Sequence, residues 1–245
     1  MKKIVISQPM FFPWVGLFEQ IKLADTYIHY DDVQLPLGRS FITRVQVKTY
    51  DGIKWLSVPI KRNGKQLINN VVIDSSQDWR KKHLNILKHN YSKTPFFKEM
   101  FDLVNNIYKL DIDNLSVLNI LTIEKIANYF DIDTQFQQSS YLQIEAQSSM
   151  KLLEIVKNFN GDIYITGHGA SNYLDHQLFE KEGIRVEYMN YQKLHYDQLY
   201  GNFTPYVSVL DLIANLGKEG IKYINSSTLY WKDFMNSQKD IKQEE

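Results

Sequence analysis

The chain has 245 residues, with 28 basic and 28 acidic side chains and no cysteine. Its length suits one large domain with a sizeable buried core, and 44% hydrophobic and 23% charged content is ordinary for a globular protein. A net charge of +0 argues against a nucleic-acid partner, and the missing cysteines exclude disulfides, a thiolate nucleophile and cysteine-ligated zinc.

Residues 3–7 read as a short apolar strand. Residues 8–16 follow as a turn holding two prolines, three aromatics and a glycine. A helix over 17–24 leads to a second strand over 27–30, which ends in Asp31 and Asp32. A turn at the carboxyl end of a parallel strand is where open α/β sheets bind ligands. Residues 41–48 alternate apolar and polar, as a half-buried strand does. Asp51-Gly52 signals a hairpin into a partner strand over 54–60, and Asn63-Gly64-Lys65 turns into a third strand over 68–73. Pro59 suits a strand end or edge.

From 75 to 130 the pattern is helical. One helix covers about 77–91, with Ser75 and Asp78 at capping-box spacing. A second starts at Thr94-Pro95. A third runs from Asp113-Asn114 to Phe130, with an apolar stripe at Leu118, Leu121, the stem of Lys125 and Ile126. Residues 135–138 read as a short strand. Ser149 caps a helix to Phe159, with Gly161 as its stop, and residues 162–165 form another strand. The small-residue loop 166–172 precedes a helix over 173–182, closed by Gly183, and a strand over 184–188. A last strong helix covers 205–216 with Gly217 as its stop, and the polar residues 238–245 are expected to fray.

Strand–loop–helix–strand units at both ends predict an α/β fold. Its Rossmann-like parallel sheet is built from N- and C-terminal units. A central antiparallel-β and helical lobe, residues 41–130, is inserted within a single domain, 1–245. Lys2 and Lys3 mimic the start of a signal peptide, but Gln8, Pro9 and Pro13 interrupt the apolar stretch. No apolar run approaches the ~20 residues of a membrane helix, so no membrane insertion and a cytoplasmic location are expected. The composition leaves a homo-oligomer open.

Several residue groups could carry chemistry. Gly167, His168, Gly169 and Asn172 in the loop 166–172 have the make-up of an anion cradle, in which glycines let backbone N–H groups approach a phosphate. The same loop also suits a tight connection needing glycine for positive φ. Asp31 and Asp32 end a parallel strand, where a carboxylate can hold a ribose hydroxyl or an amine, or simply be solvated. Their side chains point to opposite faces, so one of the two enters the site. His83 shares a helix face with Trp79 and points inward, as a neutral general base or as a core histidine. Arg44, a charge in an alternating strand, suits phosphate or carboxylate binding, or a surface ion pair. Phe11, Phe12 and Trp14 can stack a base or sugar ring, with at least one of them serving the core. His195 is a looser candidate, and Lys81 and Lys82 are solvated or clamp phosphate. No paired-histidine metal motif occurs, so no bound metal is expected. No GxSxG elbow supports a serine hydrolase.

Ser7-Gln8-Pro9, Phe12-Pro13-Trp14 with Gly16, Ala24-Asp25 and Asp31-Asp32-Val33-Gln34 resemble the opening signature of the WbqC-like family. Arg44, Trp55-Leu56-Ser57-Val58-Pro59, Trp79-Arg80-Lys81-Lys82-His83 and Tyr164-Ile165-Thr166-Gly167 extend that resemblance. So do Tyr173-Leu174-Asp175, Tyr196 with Gln198, Phe203, and Ser208-Val209-Leu210-Asp211-Leu212, over nearly the whole chain. The resemblance implies a setting in bacterial surface-polysaccharide (O-antigen) loci without naming a reaction.

The expected function is that of a transferase on a nucleotide-linked amino sugar, moving an acyl or aminoacyl group to the sugar amine. His83 and Asp32 stand as the candidate catalytic pair. Gln8, Phe12, Trp14, Asp31, Arg44, Gly167, His168, Gly169, Asn172 and Tyr173 stand as the candidate substrate-binding set. The partner is the nucleotide-linked sugar; no cofactor is assigned. An ATP-dependent ligase or nucleotidyltransferase is the alternative, because the opening layout is similar to that of HxGH-type enzymes. Here Pro13-Trp14-Val15-Gly16 stands where such enzymes carry their two histidines. A non-catalytic nucleotide-sugar-binding protein is the third reading.

Overall fold

Strand β1 (Lys3–Ser7) sends Ile4 and Ile6 into one apolar cluster and Val5 into another. A strand buried on both sides belongs in the middle of a sheet covered on both faces. The computed structural model places it there; it describes residues 1–243, with side chains through residue 238. Then come α1 (Val15–Leu23), β2 (Thr26–His29), β3 (Arg44–Thr49), β4 (Gly52–Ser57), β5 (Ile60–Lys61) and β6 (Val72–Ile73). Helices α2 (Trp79–Tyr91), α3 (Phe97–Tyr108) and α4 (Leu115–Tyr129) follow, then β7 (Gln135–Gln138), α5 (Ser148–Asn158) and β8 (Ile163–Thr166). The chain continues through α6 (His176–Lys181), β9 (Arg185–Asn190), α7 (Val209–Leu216), β10 (Ser227–Tyr230) and α8 (Trp231–Gln243).

The six-stranded sheet has the order β10-β9-β8-β1-β2-β7. All its pairs are parallel except β9 with β10. This is the Rossmann order with its last strand reversed. The fold class is therefore mixed α/β with a mostly parallel central sheet. Strand order reverses between β1 and β8. From β1 the chain proceeds outward to β2 and β7, and from β8 outward to β9.

The segment between β2 and β7 supplies most of one sheet face. Val45, Leu56, Trp79, Val104 and Ile123 join Val5, Ile165 and Leu210 in one continuous cluster. Leu152, Val156, Phe179 and Phe234 cover the opposite face with Ile4, Ile28 and Val186. Thus the lobe has no core separate from the sheet's own.

Local chemistry explains most element ends. Asp78 caps α2 by accepting from Lys81 N, and Asn114 caps α4 by accepting from Val117 N. Gly183 and Gly217, each following a helix, sit at φ +72° and +57°, a region that favours glycine. Some expectations are corrected. Ser149 does not cap α5; its hydroxyl accepts from Asp175 N. Gly161 serves close packing, since a Cβ there would lie 2.5 Å from Ile4. The strand expected over 68–73 is a 3-10 turn at Ile68–Asn70 plus the two residues of β6. The buried face of α4 is wider than its apolar stripe. It takes in Asn119 and Thr122 and leaves Lys125 exposed. The tail expected to fray is helical to Gln243, and its last two residues lie outside the described residues. Among the described residues no helix is long and apolar enough to cross a membrane.

Candidate functional site

The β1–α1 turn is held from three sides. Asn119 on α4 donates to Pro9 O and Ile42 O, both at 2.9 Å. Phe11 N donates to Phe41 O at 2.9 Å. Ser208, the N-cap of α7, donates its hydroxyl to Phe12 O at 2.8 Å, and Val209 N donates to Pro13 O at 2.8 Å. These bonds hold Phe12 at φ +39°, a conformation that a phenylalanine rarely adopts unaided. The turn then delivers Trp14 to the carboxyl ends of β1 and β8.

A cleft of about 610 Å³ opens there, at the point where strand order reverses. Its size fits a small-molecule ligand, and its place is where open α/β sheets bind one. Gln8 and Met10 come from the β1 turn, and Gly167, His168 and Gly169 from the β8 loop. Tyr191 and Lys193 follow β9, while Tyr206 precedes α7. The indole of Trp14 packs 4.9 Å from Tyr191 and 5.8 Å from Tyr206, centroid to centroid. Gln20 Nε2 donates to the Tyr191 hydroxyl at 2.7 Å, and Lys193 Nζ to the Tyr206 hydroxyl at 2.8 Å. His168 Nε2 lies 2.7 Å from Met189 O. A carbonyl only accepts, so Nε2 carries a proton.

The described wall residues include one lysine, one histidine and several tyrosines, but no carboxylate. Burial pushes the hydroxyls of Tyr30, Tyr173 and Tyr191 above the ordinary tyrosine range, so all three are protonated donors. Gly167 has φ −81° and ψ 166°, ordinary extended backbone, so no positive φ requires glycine there. A Cβ at Gly167 would stand 3.4 Å from the Tyr191 hydroxyl, and at Gly169 it would meet nothing. Both glycines leave backbone bare toward the cleft. Such a surface, with a cation and hydroxyl donors around it, favours an anionic ligand carrying a flat or ring-shaped group.

The WbqC-like protein family matches the chain over residues 8–223. The chain belongs to the WbqC-like family. It is 34% identical over 228 residues to the uncharacterized protein Rv1507c of Mycobacterium tuberculosis (strain ATCC 25618 / H37Rv), covering 91% of this chain and 98% of that one. No solved structure matches it.

In this WbqC-like protein, Gln8, Trp14, Gly167, His168, Gly169 and Tyr173 of the sequence-derived candidates line the cleft. The others lie elsewhere. His83 is buried in an aromatic cluster with Phe11, Trp79 and Tyr108, and its Nδ1 meets the Tyr108 hydroxyl at 2.9 Å. Burial lowers its pKa to about 4; a backbone contact at Ser57 opposes the shift, and Lys82 adds slightly to it. The inward helix face is real, but it faces the core. Phe12 is fully buried between Phe11 and Tyr108. Asp31 is buried too, accepting from Ser140 N and the Ser139 and Ser140 hydroxyls. Asp32 accepts from Ser139 Oγ and forms a 2.7 Å ion pair with Lys151, behind the cleft residue Tyr30. Arg44 stacks its guanidinium 3.8 Å from the centroid of Trp55, each of them one strand position from the buried pair Val45 and Leu56 and so on the opposite face of the hairpin. Asn172 is exposed in the 3-10 turn His168–Asn172, outside the cleft wall. His195 packs on Phe203.

Sequence reading missed Gln20, Tyr30, Tyr191, Lys193 and Tyr206 as wall residues. Tyr30, Tyr191 and Lys193 each fall within three residues after a parallel strand, and that position was the available signal. Tyr206 enters from a long connection and carried none.

Proposed function

We propose that this protein is an enzyme of bacterial surface-polysaccharide biosynthesis that transfers an acyl or aminoacyl group to the amine of a nucleotide-linked amino sugar. The observation that supports it is a cleft at the sheet's switch point with no carboxylate among its described wall residues, in which bare glycine backbone lies beside Tyr191 and the Lys193 ammonium beside Tyr206, near the Trp14 ring. The glycine backbone and the Lys193 ammonium suit a diphosphate, and the adjoining rings a base or sugar ring. With no carboxylate among the described wall residues, the sugar amine has no ion-pair partner there, which favours its neutral, nucleophilic form.

A thermal-shift panel of UDP-, dTDP- and GDP-linked sugars, ATP and acyl thioesters tests the reading. A ligand at 100 times its Kd stabilises a one-site protein by about 2.7 kcal/mol. In a chain of this size that raises Tm by roughly 5–10 °C. Stabilisation by nucleotide sugars, followed by mass-spectrometric detection of an acylated sugar, is the expected outcome. Stabilisation by ATP alone favours the ligase reading, and nucleotide-sugar binding without turnover favours a binding protein.

A further inference from the structure

We infer that His168 is the proton acceptor of this cleft, with Nδ1 as the working nitrogen; the inference rests on the transferase reading above. Three observations converge on it. His168 Nε2 donates to the Met189 carbonyl, so a neutral ring must keep its lone pair on Nδ1. The ring is held between Tyr191, 5.2 Å away, and Phe234, 4.9 Å away, which fixes the direction of that lone pair. Nδ1 has no hydrogen-bond partner among the described residues, although His168 stands in the cleft wall and is exposed.

Elimination leads to the same group. No carboxylate lines the cleft among the described residues, the ammonium of Lys193 is a donor to Tyr206, and His83 and Asp32 are engaged behind the wall. The assigned step balances simply. As the sugar nitrogen forms its bond to the carbonyl carbon of an activated acyl donor, its proton passes to Nδ1. The bond to the leaving group then breaks, the leaving group keeps the electron pair, and it takes the proton back from Nδ1. A backbone carbonyl holds the Nε2–H tautomer through the cycle, as a partner to a catalytic imidazole should.

Two measurements on the intact protein test this without a known acyl donor. Long-range 15N NMR reports the tautomer of each histidine. Diethyl pyrocarbonate labelling, mapped by mass spectrometry with and without saturating UDP-glucosamine, reports access to the free nitrogen. The expected result is an Nε2–H tautomer at His168, labelling at least 10-fold faster than at buried His83, and protection by the probe. His168→Gln should keep UDP-glucosamine affinity within about threefold, because a base for the amine is not an anchor for the diphosphate. An Nδ1–H tautomer, labelling as slow as at His83, or labelling unchanged by bound probe would overturn the assignment. So would a tenfold loss of probe affinity in His168→Gln, which would make the residue an anion contact. If UDP-glucosamine does not bind at all, the transferase reading fails. The tautomer and the labelling rate of the free protein still decide whether His168 is an available base.

Discussion

The indole of Trp14 lies directly on Gly16: a Cβ at position 16 would sit 2.3 Å from two ring carbons of Trp14. One residue can occupy the start of α1 with a large side chain only because the residue two places on has none. The ring that results forms the wall between the cleft and the α7 connection.

Gly16→Ala should therefore displace the Trp14 ring. The expected cost is about 1–3 kcal/mol in stability, as for other overpacked sites, with a tenfold or greater loss of nucleotide-sugar affinity. Chemical denaturation and ligand titration on the same preparation check it. Unchanged affinity per folded molecule would reduce Trp14 to a packing residue.

Gly167→Val should do the reverse and leave stability nearly intact. Its backbone is extended, which valine adopts readily, so Tm should move by no more than about 2 °C. Its branched side chain would grow from a point 3.4 Å from the Tyr191 hydroxyl and block approach to the backbone. Loss of UDP-glucosamine binding with retained Tm is the expected pair of results.

Asp32→Asn should act on folding and not on the ligand. The Lys151–Asp32 pair is largely shielded, with side-chain exposures of 11% and 16%, so removing one charge leaves the other poorly solvated. A loss of about 1–3 kcal/mol is expected, partly restored by Asp32→Asn with Lys151→Met. Retained stability with lost ligand affinity would instead bring Asp32 into the site.

Two buried groups make stability depend on pH in overlapping windows below neutrality, with opposite signs. Burial raises the Glu19 carboxyl from 4.5 to about 7, against the opposing Ser226 and Asn225 hydrogen bonds and Lys22. The folded state thus holds that proton more tightly, and this contribution is full below pH 4.5 and lost as pH rises through 7. His83 is the opposite case, lowered from 6.5 to about 4. Its contribution is present above pH 6.5 and lost as pH falls through 4. Glu19→Gln should remove a loss of stability as pH rises from 4.5 to 7, and His83→Gln a loss as pH falls from 6.5 to 4, both read from Tm–pH curves. Exchanged effects would contradict both environments.

The inner strands β1 and β8 were legible because they are short apolar runs next to strong turn signals. Residues 3–7 and 135–138 coincide with β1 and β7. The glycine stops at 183 and 217 were readable for the same reason, since positive φ selects glycine. The last strand and helix were not. β10 is only partly buried, and α8 is largely polar with Phe234 as its buried anchor, so neither shows an apolar run. In the candidate site, periodicity aimed His83 inward but could not say whether the interior there was core or cleft. Tyr108, the hydroxyl it meets, lies 25 residues away in another helix. Asp32 failed on the same ground, because its partner Lys151 lies 119 residues away.

The proposed ligand of the cleft between β1 and β8 is an anionic nucleotide-linked sugar. Calorimetric titration of UDP-glucosamine into wild-type protein, Gly167→Val and Lys193→Met, at two salt concentrations, tests it most directly. The expected result is one site per chain, affinity weakened by salt, a three- to tenfold loss in Lys193→Met as for an exposed charged contact, and no detectable binding in Gly167→Val. Binding that neither variant alters, or no binding of the nucleotide sugar by the wild-type protein, would contradict it.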